Sequence, residues 1–261
     1  MIASAFGKAR NEHRIAFIPY VMAGDPDLET SELILCALRD EGADLIELGV
    51  PYSDPLADGP TVAAAGQRAL AGGTRLHDVI RLASRARASG APSIVLFTYF
   101  NPVLQYGVER FAREAAEANA AGAIVPDAAL EEIGDLRAAL ATQDLEMPLL
   151  VAPSTGIERA RGIAEAATGF VYVVSRLGVT GANSEPDVTQ LRDQIVGLRA
   201  VTEKPLAVGF GISRPEQVRA VASFADGVVV GSALIDAYAG KSRRSAAESV
   251  RNLVRAMRNE C

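Results

Sequence analysis

Histidine is almost missing from this chain of 261 residues: only His13 and His77 are present, far apart and in helix-like or polar surroundings. No group with metal-ligand spacing forms around them, so no histidine-based metal site is expected. Lysine is nearly as scarce. Lys8, Lys204 and Lys241 are the whole set, and none falls at the C-terminal end of a predicted strand. A Schiff base needs a desolvated lysine inside the site, so that chemistry is not expected either. The cysteines are Cys36, in a helical apolar pattern, and Cys261, the last residue. No structural disulfide is expected from them, and a reducing cytoplasm fits. Aromatic residues are 5% of the chain, no basic stripe exists and the formal net charge is -6. That balance argues against nucleic-acid binding. No apolar run reaches the roughly 18 residues that cross a bilayer. The stretch MIASAFGKARNEHR lacks the uninterrupted apolar core of a secretory signal, so neither a membrane nor an export route is expected.

What is present suits a large core. Apolar residues make up 49% and charged residues 22%, an ordinary globular balance. Residues 2–11 form an amphipathic pattern, with Ile2, Ala5, Phe6 and Ala9 on one side. Short apolar runs then recur: Ile15–Tyr20, Asp44–Leu48, Ser93–Tyr99, Gly122–Pro126, Met147–Ala152, Gly169–Ser175, Pro205–Gly209 and Asp226–Val230. Helical patterns follow nearly all of them, at about 28–41, 61–71, 75–89, 107–120, 130–141, 157–167, 188–201 and 233–259. The runs are continuous and not alternating, as in parallel strands covered on both faces. Eight βα units in this length point to a TIM (β/α)8 barrel, an α/β fold, here with an extra N-terminal helix. No linker divides the chain, so residues 1–261 read as one domain.

One stretch stands out, ELGVPYSDPLADGP from Glu47 to Pro60. Glu47 lies among Leu45, Ile46 and Leu48, where a strand entering a core should hold no charge. An unpaired carboxylate there is costly or takes up a proton. Pro51, Pro55, Gly59 and Pro60 fix the path of the loop that brings Asp58 near it. This resembles a placed acid–base pair. The plainer reading is a surface turn with solvated aspartates and a Glu paired to an Arg.

In such a barrel the site lies at the C-terminal ends of the strands. Gly181, Gly211, Gly231 and Ser232 follow the sixth, seventh and eighth strands, which are neighbours. Glycines let backbone N–H groups approach an anion, and Ser232 adds a hydroxyl where a helix begins. Together they suggest a phosphate cradle that needs no lysine; singly, each glycine is a turn residue. Tyr172 reads as a pocket wall with a hydroxyl near the reacting groups, or as a core tyrosine. Tyr20, Phe97, Tyr99 and Phe210 are expected to line the same pocket, with Thr180 in the loop after the sixth strand. The ensemble suits a flat apolar substrate with a phosphorylated tail.

The segments PYVMAGDPD (19–27), ELGVPYSDPLADGPT (47–61), TYFNP (98–102), YVVSRLGVTG (172–181), GFGISRPEQV (209–218) and DGVVVGSA (226–233) resemble the tryptophan synthase α subunit family. The resemblance runs over nearly the whole chain. It implies a carbon–carbon lyase that cleaves indole-3-glycerol phosphate to indole and glyceraldehyde 3-phosphate. By motif, Glu47 and Asp58 match the catalytic carboxylates and Tyr172 the pocket tyrosine. Gly181, Gly211, Gly231 and Ser232 match the phosphate-binding positions. Closure of the 176–186 loop would bring Thr180 toward Asp58. The family also implies a partner, a β subunit in an α2β2 assembly that receives the indole. Pyridoxal phosphate belongs to that partner, and this chain needs neither metal nor cofactor. The Ser53–Pro55 loop and the region of Asn101 and Pro102 match surfaces that meet β. Two positions depart from the pattern: Ala129, where many relatives have proline, and Ala121, where an acidic residue is frequent. Three other readings stay open: a free-standing lyase that needs no β partner, an inactive barrel that only binds or activates another subunit, and a different barrel enzyme acting on a phosphorylated sugar.

Overall fold

Each apolar run becomes a strand because both of its faces are covered. In the computed structural model, which describes residues 1–175, 188–209 and 211–261, the strands are β1 (Ala16–Met22), β2 (Leu45–Gly49), β3 (Ser93–Phe97), β4 (Gly122–Ile124), β5 (Leu149–Val151), β6 (Val171–Val174), β7 (Leu206–Gly209) and β8 (Gly227–Val230). The helices among the described residues are α1 (Ile2–Asn11), α2 (Leu28–Asp40), α3 (Pro60–Ala71), α4 (Leu76–Ala88), α5 (Phe100–Tyr106), α6 (Val108–Glu117), α7 (Gly134–Thr142), α8 (Ile157–Ala166), α9 (Val188–Arg199), α10 (Pro215–Ala222), α11 (Ser232–Tyr238) and α12 (Arg243–Arg258). All seven residues of β1, AFIPYVM, are buried. Each large apolar side chain hidden in this way contributes about 1.5–3 kcal/mol.

The strands pair in parallel in the order β4-β3-β2-β1-β8-β7-β6-β5. The ring closes between β4 and β5 through a parallel bridge of Gly122 with Glu146. There the Ala123 N–H donates to the Glu146 carbonyl at 3.0 Å, and the Glu146 N–H donates to the Ala121 carbonyl at 3.0 Å. A side chain at Gly122 would place its Cβ 1.8 Å from the Glu146 oxygen, so only glycine permits this closure.

The extra helix α1 plugs the N-terminal end of the barrel. Ile2, Phe6 and Ala9 form its buried face. The Phe6 ring meets Phe170 at 5.5 Å, and Phe170 meets Tyr172 at 6.0 Å. An aromatic column therefore rises from the plug toward the open end. At the same closed end Arg14 grips Asp44 with two hydrogen bonds of 2.6 and 2.7 Å, and the Phe17 N–H donates to the same carboxylate at 2.9 Å.

Two helical regions differ from expectation. The sequence pattern starts the helix after β3 only at about residue 107, yet α5 occupies Asn101 and Pro102. Its first N–H, from Phe100, donates to the Asp127 carboxylate at 2.9 Å. The cap comes from a residue 27 positions away, which local pattern does not reveal, and Pro102 sits in the first turn, where proline is tolerated. The last helical region, expected at about 233–259, consists of two helices, α11 and α12. Between them Gly240 takes a φ of +70°, which ends a right-handed helix.

Candidate active site

Glu47 is the third residue of β2, and strand register sets it beside Tyr20 of β1 and Val95 of β3. Neighbours in register share a face, so all three point into the barrel. Glu47 is 1% exposed. Neither of its carboxylate oxygens has a hydrogen-bond partner among the described residues. Burial therefore pushes its pKa well above the ordinary 4.5. Burial thus favours the neutral carboxyl, the form with a proton to give.

Tyr172 stands on the opposite wall, in β6, buried at the top of the aromatic column. Burial raises its phenol well above its usual value, and Glu47 adds to the rise only when that carboxyl is ionised. Its ring lies against Gly209, where an added Cβ would fall 2.2 Å from the Tyr172 hydroxyl. Tyr20 is seated in the same manner: a Cβ at Gly49 would fall 2.3 Å from its hydroxyl. The edge of the Tyr20 ring meets Phe97 at 5.5 Å and 87°.

Asp58 ends the loop before α3, with Gly59 as helix cap and Pro60 at the first helical position. The Tyr99 hydroxyl donates to its Oδ1 at 2.7 Å, and the Ala57 N–H donates to that hydroxyl at 3.1 Å. Burial raises the Asp58 pKa, and the Tyr99 bond opposes the rise; the net shift is upward. The two carboxyls thus differ in kind. Among the described residues Glu47 has no hydrogen-bond donor, whereas Asp58 is oriented by one.

One cavity, about 480 Å³ with the solvent at its open mouth included, is lined by both carboxyls with Tyr20, Phe97 and Tyr172. Gly211, Gly231 and Ser232 line it as well. Gly211 takes a φ of +82°, a conformation that favours glycine. Eight of the twelve residues assigned to the site from sequence meet at this cavity. Tyr99 does not line it: the hydroxyl stands behind Asp58 and its ring stacks on Tyr52 at 5.3 Å. Thr180, Gly181 and Phe210 fall outside the described residues. Ala57, Val62, Ile212 and Val229 complete the lining and were missed. Val62 carried a signal, since it is the third residue of α3 and so lies in the first turn of the helix that follows Asp58.

The remaining candidates lie elsewhere. Lys204 donates to the carbonyls of Ala164 and Ala167 at 2.6 and 2.7 Å, at the end of α8. No group of three or more His, Cys, Asp or Glu that could hold a metal ion occurs among the described residues. Ala129 faces a neighbouring hollow with Val125, Leu149 and Val174, and Ala121 is fully buried before β4. A cavity of this design can protonate one carbon of a flat ring from Glu47 while Asp58 accepts a hydrogen bond from the ring.

The family model described as "Tryptophan synthase alpha chain" matches residues 6–261. A tryptophan synthase alpha chain from Prochlorococcus marinus (strain MIT 9313) is 46% identical over 259 residues, covering 99% of this chain and 94% of the relative. The alpha chain from Gloeobacter violaceus is 49% identical over 239 residues, covering 91% of this chain and 86% of the relative. Among solved structures, a chain of Mycobacterium tuberculosis tryptophan synthase superimposes with a TM-score of 0.91 at 38% identity, covering 99% of this chain and 97% of that one. The alpha subunit from Legionella pneumophila str. Paris gives a TM-score of 0.90 at 34% identity, covering 99% of this chain and 97% of that one. With likeness of sequence and of structure over almost its full length, this chain belongs to the tryptophan synthase alpha chain family.

Proposed function

We propose that Glu47 and Asp58 divide between them the acid–base work by which this chain, a carbon–carbon lyase, cleaves indole-3-glycerol phosphate to indole and glyceraldehyde 3-phosphate. The observation that carries this reading is the isolation of Glu47, buried and without a hydrogen-bond partner among the described residues, across one cavity from Asp58. Indole is a poor leaving carbanion. Protonation of its C3 by neutral Glu47 gives an indolenine cation, from which the C–C bond breaks as an electron sink opens on the ring. The carboxylate left on Glu47 then takes the proton from the side-chain hydroxyl, whose carbon becomes the aldehyde. The proton count closes, and Glu47 returns to its starting form. Asp58 accepts the indole N–H and stabilises the positive charge that develops on the ring. Tyr172 and Tyr20 wall the ring, with Phe97 against Tyr20, and Gly211, Gly231 and Ser232 hold the phosphate. Thr180, Gly181 and Phe210 are assigned to the same substrate from sequence alone.

The partner in this reading is a tryptophan synthase β subunit, in an α2β2 tetramer, which takes up the indole. Leu56, 76% exposed, and Leu104, 51% exposed, support an apolar docking face beside the Ser53–Pro55 loop and α5. Pyridoxal phosphate is assigned to β and no cofactor to this chain. Among the described residues no helix is long and apolar enough to cross a membrane, and a cytoplasmic site suits the pathway. We read residues 1–261 as one domain.

The test is indole release from indole-3-glycerol phosphate by the purified chain, alone and with β added. The Glu47→Gln variant should lose at least about 10²-fold in turnover, the usual worth of an acid–base group. Near-normal turnover would remove Glu47 from the mechanism. Fast release without β, unchanged when β is added, would favour a free-standing lyase.

A further inference from the structure

Asp25 is a buried carboxyl that the mechanism does not use. It follows β1 in the turn Gly24-Asp25-Pro26, and its side chain is 1% exposed. An isolated carboxylate at that depth is untenable without a partner. Arg68 supplies it: the Arg68 Nε donates to Oδ1 at 2.7 Å and its Nη2 to Oδ2 at 2.8 Å. This is the two-pronged geometry that fixes direction as well as distance. Arg68 lies eight residues beyond Pro60 in α3, about 12 Å along the helix from the end that holds Asp58. Tyr238, the last residue of α11, is buried beside the same carboxylate; burial and then the Asp25 charge raise its phenol well above the usual value. The first residue of α11 is Ser232.

The pattern has a simple geometry. Helices α3 and α11 pack on each other and on β1. Each presents its first turn to the cavity, and each meets Asp25 with its later residues. Neither Asp25, Arg68 nor Tyr238 lines the cavity itself.

We propose that Asp25 and Arg68 form a positioning pair that, with Tyr238 packed against it, sets the distance across the cavity between Asp58 and the Gly231–Ser232 turn. The proposal rests on the roles given above to Asp58 and Ser232. A substrate with its ring at one end and its phosphate at the other must match that distance. A ligand that occupies only one end need not.

The experiment compares Arg68→Met and Arg68→Lys with the unmodified chain, each as the α–β complex. Steady-state cleavage of indole-3-glycerol phosphate is measured, with inhibition by glycerol 3-phosphate and by indole as probes of the separate ends. Arg68→Met should lose at least about tenfold in kcat/KM, since displacements near 1 Å carry losses up to about 10²-fold. Both inhibition constants should stay within about threefold, as expected when each end is intact. Arg68→Lys keeps the charge but not the fork, and should fall between. A folded Arg68→Met with unchanged kcat/KM and only a lower Tm would overturn the proposal. So would an equal loss of both inhibitors, which marks general loosening of the cavity. If Arg68→Met does not fold, the same readings on Arg68→Lys decide. Asp58→Asn runs in parallel: normal turnover there defeats the role given to Asp58, whereas loss there beside a normal Arg68→Met defeats the positioning pair alone.

Discussion

Replacing Glu47 by Gln should change how the stability of this protein depends on pH, apart from what it does to turnover. The carboxyl is 1% exposed, has no hydrogen-bond partner among the described residues, and holds its proton well above 4.5 because of burial. Below pH 4.5 both the folded and the unfolded chain carry that proton, and Glu47 gives no slope. Above 4.5 the unfolded chain releases it while the folded chain keeps it. Unfolding then liberates a proton, so rising pH favours the unfolded state. The loss amounts to about 1.4 kcal/mol for each pH unit between the unfolded and folded pKa values, and it levels off once the folded value is passed. The glutamine of the variant cannot titrate. Its buried amide adds a fixed offset that does not vary with pH.

The quantity to read is therefore the difference in Tm between Glu47→Gln and the unmodified chain, followed from about pH 5 to pH 8. Carboxyls common to both proteins, Asp58 included, cancel in the subtraction. At this chain length each kcal/mol moves Tm by about 2–4 °C, so the variant should gain about 3–6 °C over the unmodified chain per pH unit until the folded value is passed. A difference that stays flat across the range would mean that folded Glu47 ionises as an ordinary glutamate does. The environment described for it, and the argument that it arrives at the substrate protonated, would then both be wrong.

Two further outcomes are expected. Tyr99→Phe removes the hydroxyl that donates to Asp58 at 2.7 Å; since that bond lowers the Asp58 pKa against burial, the acid limb of kcat/KM should move to higher pH. Turnover on the plateau should fall by about tenfold or more, the worth of a hydrogen bond to a charged group, and an unmoved acid limb would show that Tyr99 does not govern Asp58. Arg14→Met strips the paired charge from Asp44, whose side chain is 1% exposed, at a cost of about 3–5 kcal/mol. Thermal melting should drop accordingly, while kcat/KM at about 25 °C stays unchanged, because the pair lies at the end of the barrel away from the cavity.

The strands were legible because each is a continuous apolar run, and Glu47 was legible because it interrupts one. Tyr172, Gly211, Gly231 and Ser232, which share its cavity, could be placed because parallel βα units put strand ends side by side. What failed to show in the sequence depends on contacts between distant residues. Tyr99 read as pocket wall, yet its hydroxyl serves Asp58, 41 positions away. The helix α5 depends on a cap from Asp127. The pairing of Asp25 with Arg68 spans 43 positions and follows no period of helix or strand. Local pattern records which residues face inward; it does not record which inward polar groups find each other.

That distinction bears on how two carboxyls in one cavity come to have different tasks. Tyr99 gives the Asp58 carboxylate a donor, which favours its charged form and offsets part of the burial. Glu47 has no such donor among the described residues, so its charged form is favourable only when a positive charge comes close. In the proposed reaction that charge is the indolenine cation, and Glu47 creates it in the same step that leaves Glu47 negative. Before the transfer the neutral carboxyl suits its apolar wall. After it the new anion and the new cation stabilise each other in a site where water would otherwise screen them. The carboxylate then stands ready for the hydroxyl proton, and the C–C bond breaks while the cation is still paired. A permanent partner for Glu47, such as an Arg or a backbone donor, would stabilise its anion at all times and weaken it as an acid. In the proposed reaction, the lack of such a partner among the described residues is the feature that ties proton delivery to the presence of substrate, and it accounts for a glutamate at the centre of a strand otherwise fit for a core.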